Sequence, residues 1–258
     1  MSQVILISTV SLFASFLTFF SGFGLGTLLL PVFALFFPIE LAITLTAIVH
    51  FLNNIFKTSL TYKSINYEVV KKFGIPSIIG AFAGSISLMY MVNYFKEFEY
   101  ELFEITLNTS ALKIIIGLLI FIFAIVELAR LDHLVKGNSL FLLSGGIISG
   151  FFGGISGHQG ALRTLFLSKF NLNKDAFIAS GIAIALLVDF TRIPIYLADN
   201  TSANLQHQIL IILAAVIPAF LGAIIGKYFL KKIKIQFLYK LVSICLVLFS
   251  IAFSTGII

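Results

Sequence analysis

Long apolar stretches alternate with short polar connections along the whole chain. Six of the stretches have about 20 residues, the length that an α-helix needs to cross the hydrocarbon core of a bilayer. They therefore predict six full membrane spans, at 39–61, 73–92, 110–129, 175–198, 208–229 and 237–257.

Two further apolar stretches are each broken by a glycine-rich run. The breaks lie at 21–26 and at 156–160. A short apolar piece follows each break, and at 1.5 Å per residue it spans about 15 Å, half a bilayer. We therefore predict two broken, hairpin-like elements, made of 3–20 with 27–37 and of 139–153 with 161–170.

Composition excludes a soluble protein. Hydrophobic residues make up 59% and charged residues 11% of the 258 residues, whereas an ordinary soluble domain has about 25% charged residues. The formal charge of +6 suggests nucleic acid, but no basic stretch is long enough to follow a phosphate backbone. The lipid bilayer is the predicted partner, and nucleic acid is not.

Charges in the connections predict the orientation of the chain. Connections 57–72 and 227–240 are rich in lysine and are expected in the cytoplasm, whereas 93–107 carries four glutamates and is expected outside. The N-terminal apolar run lacks a basic start and a small-residue cleavage site, which favours a retained membrane segment. We expect a multi-pass protein of the inner, cytoplasmic membrane.

The two halves of the chain repeat each other. The motif Pro-x3-Gly-x3-Gly occurs at 76–84 and again at 218–226, and Asn54-x-x-Lys57 recurs as Asp189-x-x-Arg192. The first motif favours close helix packing. The two copies of the first motif lie seven residues further apart than the two copies of the second. This difference predicts seven extra residues in the second half, near 199–206.

Each half would contain one broken element and three full spans. Three crossings is an odd number, so the halves would point in opposite directions. We predict an all-α polytopic membrane protein with about 8–10 helical membrane segments, in two inverted repeats at 1–130 and 131–258 that form a single membrane domain. Interrupted elements at corresponding positions of inverted repeats are typical of a secondary transporter's binding site.

The run GFGLGTLLLP at 22–31, the run GHQG at 157–160 and the four-segment halves resemble the TauE/SafE family of membrane exporters, the sulfite-exporter or former DUF81 group. The resemblance covers nearly the whole chain. It implies transport of small sulfur-containing or organic anions, such as sulfite, sulfoacetate and related sulfonates. His158 and Gln159 stand where glycine is common in the family, and no proline follows Arg163, which leaves the transported species open.

The breaks themselves favour an anion. A helix interrupted inside the membrane leaves free backbone N–H groups and a partial positive charge where it restarts. Glycine lets the backbone come close to a ligand. Two opposed breaks would form an anion cradle near the midplane, and the alternative is a packed break without a ligand. The backbone candidates are Ser21, Gly22, Gly24, Gly26, Gly157 and Gly160.

Three side chains add donors to the second break. The planar guanidinium of Arg163 suits two oxygens of a sulfonate or carboxylate, although an arginine that only sets the orientation remains an alternative. Gln159 would orient the anion. His158 would couple transport to protons, unless it is a neutral, hydrogen-bonded histidine.

Two spans carry polar groups that are costly inside a membrane. His50, Asn53, Asn54 and Lys57 follow the spacing i, i+3, i+4, i+7 and share one helix face. Asn53 and Asn54 would orient the anion, and Lys57 would either face the site or extend to the interface.

The sixth segment carries Asp189 and Arg192. We predict Arg192 as an anion ligand and Asp189 as a proton-coupling residue, unless the two simply neutralise each other.

No enzyme motif accompanies these residues. The sequence has no His-Glu-x-x-His, Cys pair, Gly-x-Ser-x-Gly or phosphate loop, so we predict no catalytic residue, metal or cofactor. The chain is expected to export a small anion by alternating access. An anion channel of the same architecture and a non-transporting scaffold are the alternatives, and the coupling ion and a homodimer are left open.

Overall fold

The computed structural model describes residues 2–21, 24–102, 104–129, 139–198, 205–229 and 235–257. These residues form ten helices, in agreement with the predicted all-α fold. A π-helical turn at Val70–Gly74 lies within the fourth helix. The helices are α1 Ser2–Ser21, α2 Leu25–Ala34, α3 Ile39–Thr61, α4 Tyr67–Tyr94, α5 Ala111–Ala129, α6 Ser139–Ser156, α7 Gly160–Leu167, α8 Lys174–Ala198, α9 Ile209–Phe229 and α10 Ile235–Ser254.

The outer surface of the helices is apolar, as lipid contact requires. Among the described residues, five helices are long and apolar enough to cross a membrane: Ser2–Phe19, Ile39–Ser64, Tyr67–Tyr94, Lys174–Ala198 and Ile209–Phe229. Large side chains such as Leu140, Leu210 and Tyr228 are about three-quarters exposed or more. Such a surface would be unstable in water, and the chain is a multi-pass membrane protein.

The predicted spans agree with the helices to within a few residues at most ends. The third helix has the predicted bounds, and α4 begins six residues before the predicted start at 73 because the helix continues through its π-helical turn. The predicted insertion near 199–206 falls largely on 199–204, which lie outside the described residues.

One connection forms a β-hairpin that we did not predict. Strands β1 (Glu97–Leu102) and β2 (Ile105–Ser110) pair antiparallel. The strict alternation of glutamate with apolar residues in EFEYEL is the signal for a strand. The hydroxyl of Tyr100 donates a hydrogen bond to the carbonyl of Thr255 over 2.7 Å, which ties the hairpin to the C-terminal end of α10.

Both predicted helix breaks are present. The first follows Ser21, the last residue of α1, and Gly24 is extended (φ −78°, ψ 140°) just before α2 begins. The second separates α6 from α7, and there Gly157 has φ +77°, a conformation that favours glycine. Gly22 lies outside the described residues.

Glycines bring pairs of helices into backbone contact. A Cβ on Gly80 of α4 would overlap the carbonyl oxygen of Ile147 in α6, and one on Gly222 of α9 would overlap that of Leu12 in α1. The two contacts lie at corresponding positions of the two halves. Helix α6 corresponds to α1 by the spacing between the two helix breaks, and α9 corresponds to α4 by the spacing between the two glycine motifs. Helix α3 also packs against α8, and α5 against α10.

Candidate functional site

The polar face of α3 is buried against α1 and α8. His50 lies at the middle of α3, and its side chain is 2% exposed. Asn53, Asn54 and Lys57 on the same face are buried as well. The helical spacing therefore brings four polar groups of one helix into the protein interior, where each needs a partner.

Asp189 is the centre of this buried polar cluster. Its carboxylate is fully buried and lies 2.6 Å from Nδ1 of His50. The Nδ2 of Asn54 donates to the same oxygen over 3.3 Å. The guanidinium of Arg192 holds the other oxygen, with Nε at 3.0 Å and Nη2 at 2.8 Å. In the structure Asp189 and Arg192 therefore form the ion pair of the alternative prediction, and His50 contacts the same carboxylate.

Arg192 also connects this cluster to the second helix break. Its Nη1 donates to the carbonyl of Gly153 near the end of α6 over 3.2 Å. A Cβ on Gly157 would lie 2.8 Å from the same nitrogen. Tyr196, one turn further along α8, donates its hydroxyl hydrogen to the carbonyl of Gly154. The guanidinium of Arg192 therefore occupies space at the second helix break that the side chain of any residue other than glycine would fill.

Lys57 points inward. Its side chain is 3% exposed, and its Nζ donates to Oγ1 of Thr18 in α1 over 3.2 Å. The same Nζ lies 5.7 Å from the centre of the Phe19 ring, within cation–π distance. Lys57 is thus held inside the protein and does not extend along its surface.

Arg163 is buried too, as the fourth residue of the short helix α7. A purely topogenic arginine would face the cytoplasm, whereas this side chain lines a cavity together with Lys57. The polar residues around the cavity are Thr18, His50, Asn54, Lys57, Arg163 and Thr164. Helices α1, α3 and α7 therefore bring hydroxyl, amide, imidazole and cationic donors to one place.

The other predicted residues of the second break lie beside this cavity. Nδ1 of His158 donates to the carbonyl of Ser156 over 2.9 Å, as expected for the hydrogen-bonded alternative. His158 lines a separate pocket with Gly160 and Thr27. Gln159 is fully buried, and neither polar atom of its side chain has a hydrogen-bond partner among the described residues.

Asn53 and two glycines of the first break, Gly24 and Gly26, are also buried. The Oδ1 of Asn53 accepts a hydrogen bond from Ser15 over 3.2 Å. A Cβ on Gly24 would lie 2.9 Å from Nε2 of His50, and one on Gly26 would lie 3.1 Å from Thr46. Ser21 ends α1, and Gly22 is outside the described residues.

Sequence reasoning left two central residues out of the predicted site. His50 and Lys57 lie on the predicted polar face of α3 and are not among the predicted site residues, although both line the cavity. The i, i+3, i+4, i+7 spacing was the available signal, since it gives one buried face to all four residues. In the part of the chain that the structure describes, no group of three or more His, Cys, Asp or Glu residues could hold a metal ion.

The sequence matches a protein-family model. The model described as Sulfite exporter TauE/SafE matches residues 7–253, nearly the whole chain. The chain belongs to the sulfite exporter TauE/SafE family. Members of the TauE/SafE family are membrane anion exporters rather than enzymes. Searches of curated proteins and of solved structures gave no match.

Proposed function

We propose that the protein is a secondary transporter that exports a small sulfur-containing or organic anion, of the sulfite or sulfonate class, across the cytoplasmic membrane. One observation carries the proposal. Among the described residues, Lys57, Arg163 and Arg192 are buried cations, whereas Asp189 is the single buried carboxylate. A small anion would compensate the excess of positive charge.

The energetic reason is the low dielectric of the site. Buried charges lose their hydration, and an excess of one sign is costly unless a counter-charge enters. Two of the three cations, Lys57 and Arg163, line the same cavity. An anion bound there would gain charge-assisted hydrogen bonds that water cannot replace equally well inside a membrane protein.

We assign the anion to the cavity between α3 and α7. The guanidinium fork of Arg163 would take two anion oxygens, and Lys57 would hold a third. Asn54 would orient the anion, while Arg192 is held by Asp189 and Gly153. The glycines at the two breaks, with Asn53 and Gln159, would surround the path by which the anion enters and leaves.

Alternating access would use the two inverted repeats, 1–130 and 131–258. The contacts Gly80–Ile147 and Gly222–Leu12 support this division, since they join corresponding positions of the two halves. In such transporters one repeat or bundle moves against the other around a fixed site. Proton coupling would use Asp189, because His50 lies 2.6 Å from its carboxylate and offers a second proton acceptor.

Flux measurements with the purified protein in liposomes test the proposal. Sulfite, sulfoacetate, other sulfonates and carboxylates are offered under imposed pH gradients, and we expect saturable, uphill movement of at least one of them. Arg163→Gln should abolish the flux, Arg163→Lys should retain part of it, and Lys169→Gln, six residues later, should behave like the wild type.

Three outcomes would contradict the proposal. Flux that saturates weakly and never proceeds uphill would favour a channel of the same architecture. An absence of both binding and flux for all of these anions would overturn the assigned substrate class, and normal flux in Arg163→Gln would remove the assigned role of Arg163.

A further inference from the structure

We propose that Lys57 binds the anion together with Arg163, and that Lys57 is available for this because the neutral amide of Asn54 leaves it without a neighbouring carboxylate. The inference rests on the proposed anion transport and deepens it by assigning the specificity of the site to one pair of residues. Lys57 and Arg192 occupy corresponding positions of the two halves, and their surroundings differ.

The two cations make matching contacts. Lys57 of α3 donates to the side chain of Thr18 in α1, and Arg192 of α8 donates to the backbone carbonyl of Gly153 in α6. Thr18 and Gly153 stand 135 residues apart, as do Lys57 and Arg192 and as do the contacting residues Asn54 and Asp189. Each cation is thus held by the first arm of the broken element in its own half.

The neighbours one turn before the two cations differ in charge. Arg192 has Asp189 at i−3, and the two form a buried ion pair with N–O distances of 2.8 and 3.0 Å. Lys57 has Asn54 at i−3, which is neutral. Among the described residues, no carboxylate lies within ion-pair distance of Lys57. Arg192 is therefore paired with a carboxylate of its own half, whereas Lys57 has no carboxylate beside it.

The position of the cavity agrees with this difference. Lys57, Asn54 and Arg163 line it, whereas Arg192 does not. An anion entering the cavity would take the place that a carboxylate occupies beside Arg192. The amide at position 54, where the second half has the carboxylate of Asp189, would thereby leave Lys57 available to the anion.

A charge-conserving exchange tests the inference. In the double variant Asn54→Asp with Asp189→Asn, the buried carboxylate moves to the first half, and the numbers of buried cations and carboxylates stay the same. Lys57→Gln is then introduced into the wild type and into the exchanged protein, and sulfite binding is measured by calorimetry in detergent. Size-exclusion chromatography and thermal melting check that each variant is folded.

We expect Lys57→Gln to weaken sulfite binding about tenfold or more in the wild type, the size of one lost charge-assisted hydrogen bond. In the exchanged protein it should change binding by less than about twofold, because the carboxylate introduced by Asn54→Asp would already neutralise the lysine. An equal effect in both backgrounds, or none in the wild type, would overturn the inference.

A second variant covers the case in which the exchanged protein does not fold. Thr18→Asp would place a carboxylate against Lys57 from α1, where Thr18 now accepts its hydrogen bond, and Thr18→Asn is the neutral control. We expect about tenfold weaker sulfite binding for Thr18→Asp than for Thr18→Asn. Equal binding by these two variants would contradict the role of Lys57. Failure of the wild type to bind sulfite, sulfoacetate or the other test anions would instead overturn the proposed function, and this inference with it.

Discussion

Asn54 and Asp189 occupy corresponding positions of the two halves, and they contact each other. The amide Nδ2 of Asn54 donates to Oδ2 of Asp189 over 3.3 Å, although 135 residues separate them. Their helices, α3 and α8, therefore cross at this point. Asn54 is neutral and Asp189 is charged. The buried cluster therefore carries different charges at two positions that correspond in the repeated backbone.

Removing the carboxylate at this contact should destabilise the protein. Asp189→Asn would leave Arg192 buried without an acid among the described residues. Breaking a buried ion pair in this way costs about 3–5 kcal/mol. Thermal melting of the purified variant in detergent measures the loss. Asp175→Asn, at the exposed start of the same helix, is the control and should melt like the wild type.

Two histidines should differ in their effect on coupling. His50 lies against Asp189, whereas His158 donates to a backbone carbonyl and faces a separate pocket. We therefore expect His50→Gln to lose flux driven by a pH gradient while retaining downhill anion exchange. His158→Gln should keep both. Counterflow and pH-jump assays on the same liposomes compare the two activities, and a coupling defect confined to His158→Gln would reverse this assignment.

Gly157 should not tolerate a side chain. Its φ of +77° is unfavourable for L-residues, and a Cβ would lie 2.8 Å from Nη1 of Arg192. The backbone conformation alone makes Gly157→Ala destabilising by about 1–2 kcal/mol, which thermal melting would detect. Gly181→Ala is the matched control, because its Cβ would make an ordinary 3.5 Å contact and alanine favours a helix.

The glycine stripe on α4 should be equally intolerant. A Cβ on Gly84 would overlap the carbonyl of Phe151 in α6, so Gly84→Leu should separate the two helices and lower the yield of folded protein. Ala83→Leu, at an exposed position of the same helix, serves as the control. Fluorescence-detected size-exclusion chromatography reports both, and matching monodisperse peaks would contradict the packing role.

Much of the helical architecture could be predicted from the sequence. Lipid selects long apolar stretches, so the bounds of α3 and of α8 could be predicted closely from hydrophobicity. Glycine-rich runs interrupt helices by a local effect, and both breaks were placed correctly. The hairpin at 97–110 is not among the predicted elements, because alternating glutamates are equally typical of a polar connection between spans.

The local pattern also identified most members of the candidate site, but not their roles. Spacing along α3 placed His50, Asn54 and Lys57 on one face, and Asp189 with Arg192 on another helix. The spacing of residues within one helix does not predict which side chains of another helix will lie opposite them. The pairing of His50 with Asp189 became evident only when α3 and α8 were seen to pack together.

Residue order alone was enough to place this chain in a bilayer, to locate the interruptions of its helices and to identify residues too polar to face lipid, because these properties depend on composition and on local backbone preference. Which buried charges neutralise each other followed only from the packing of the helices. Arg192 reaches a carboxylate and Lys57 reaches a hydroxyl. That difference depends on distances between helices. Electrostatic energy varies with these distances, and a linear sequence pattern does not contain them.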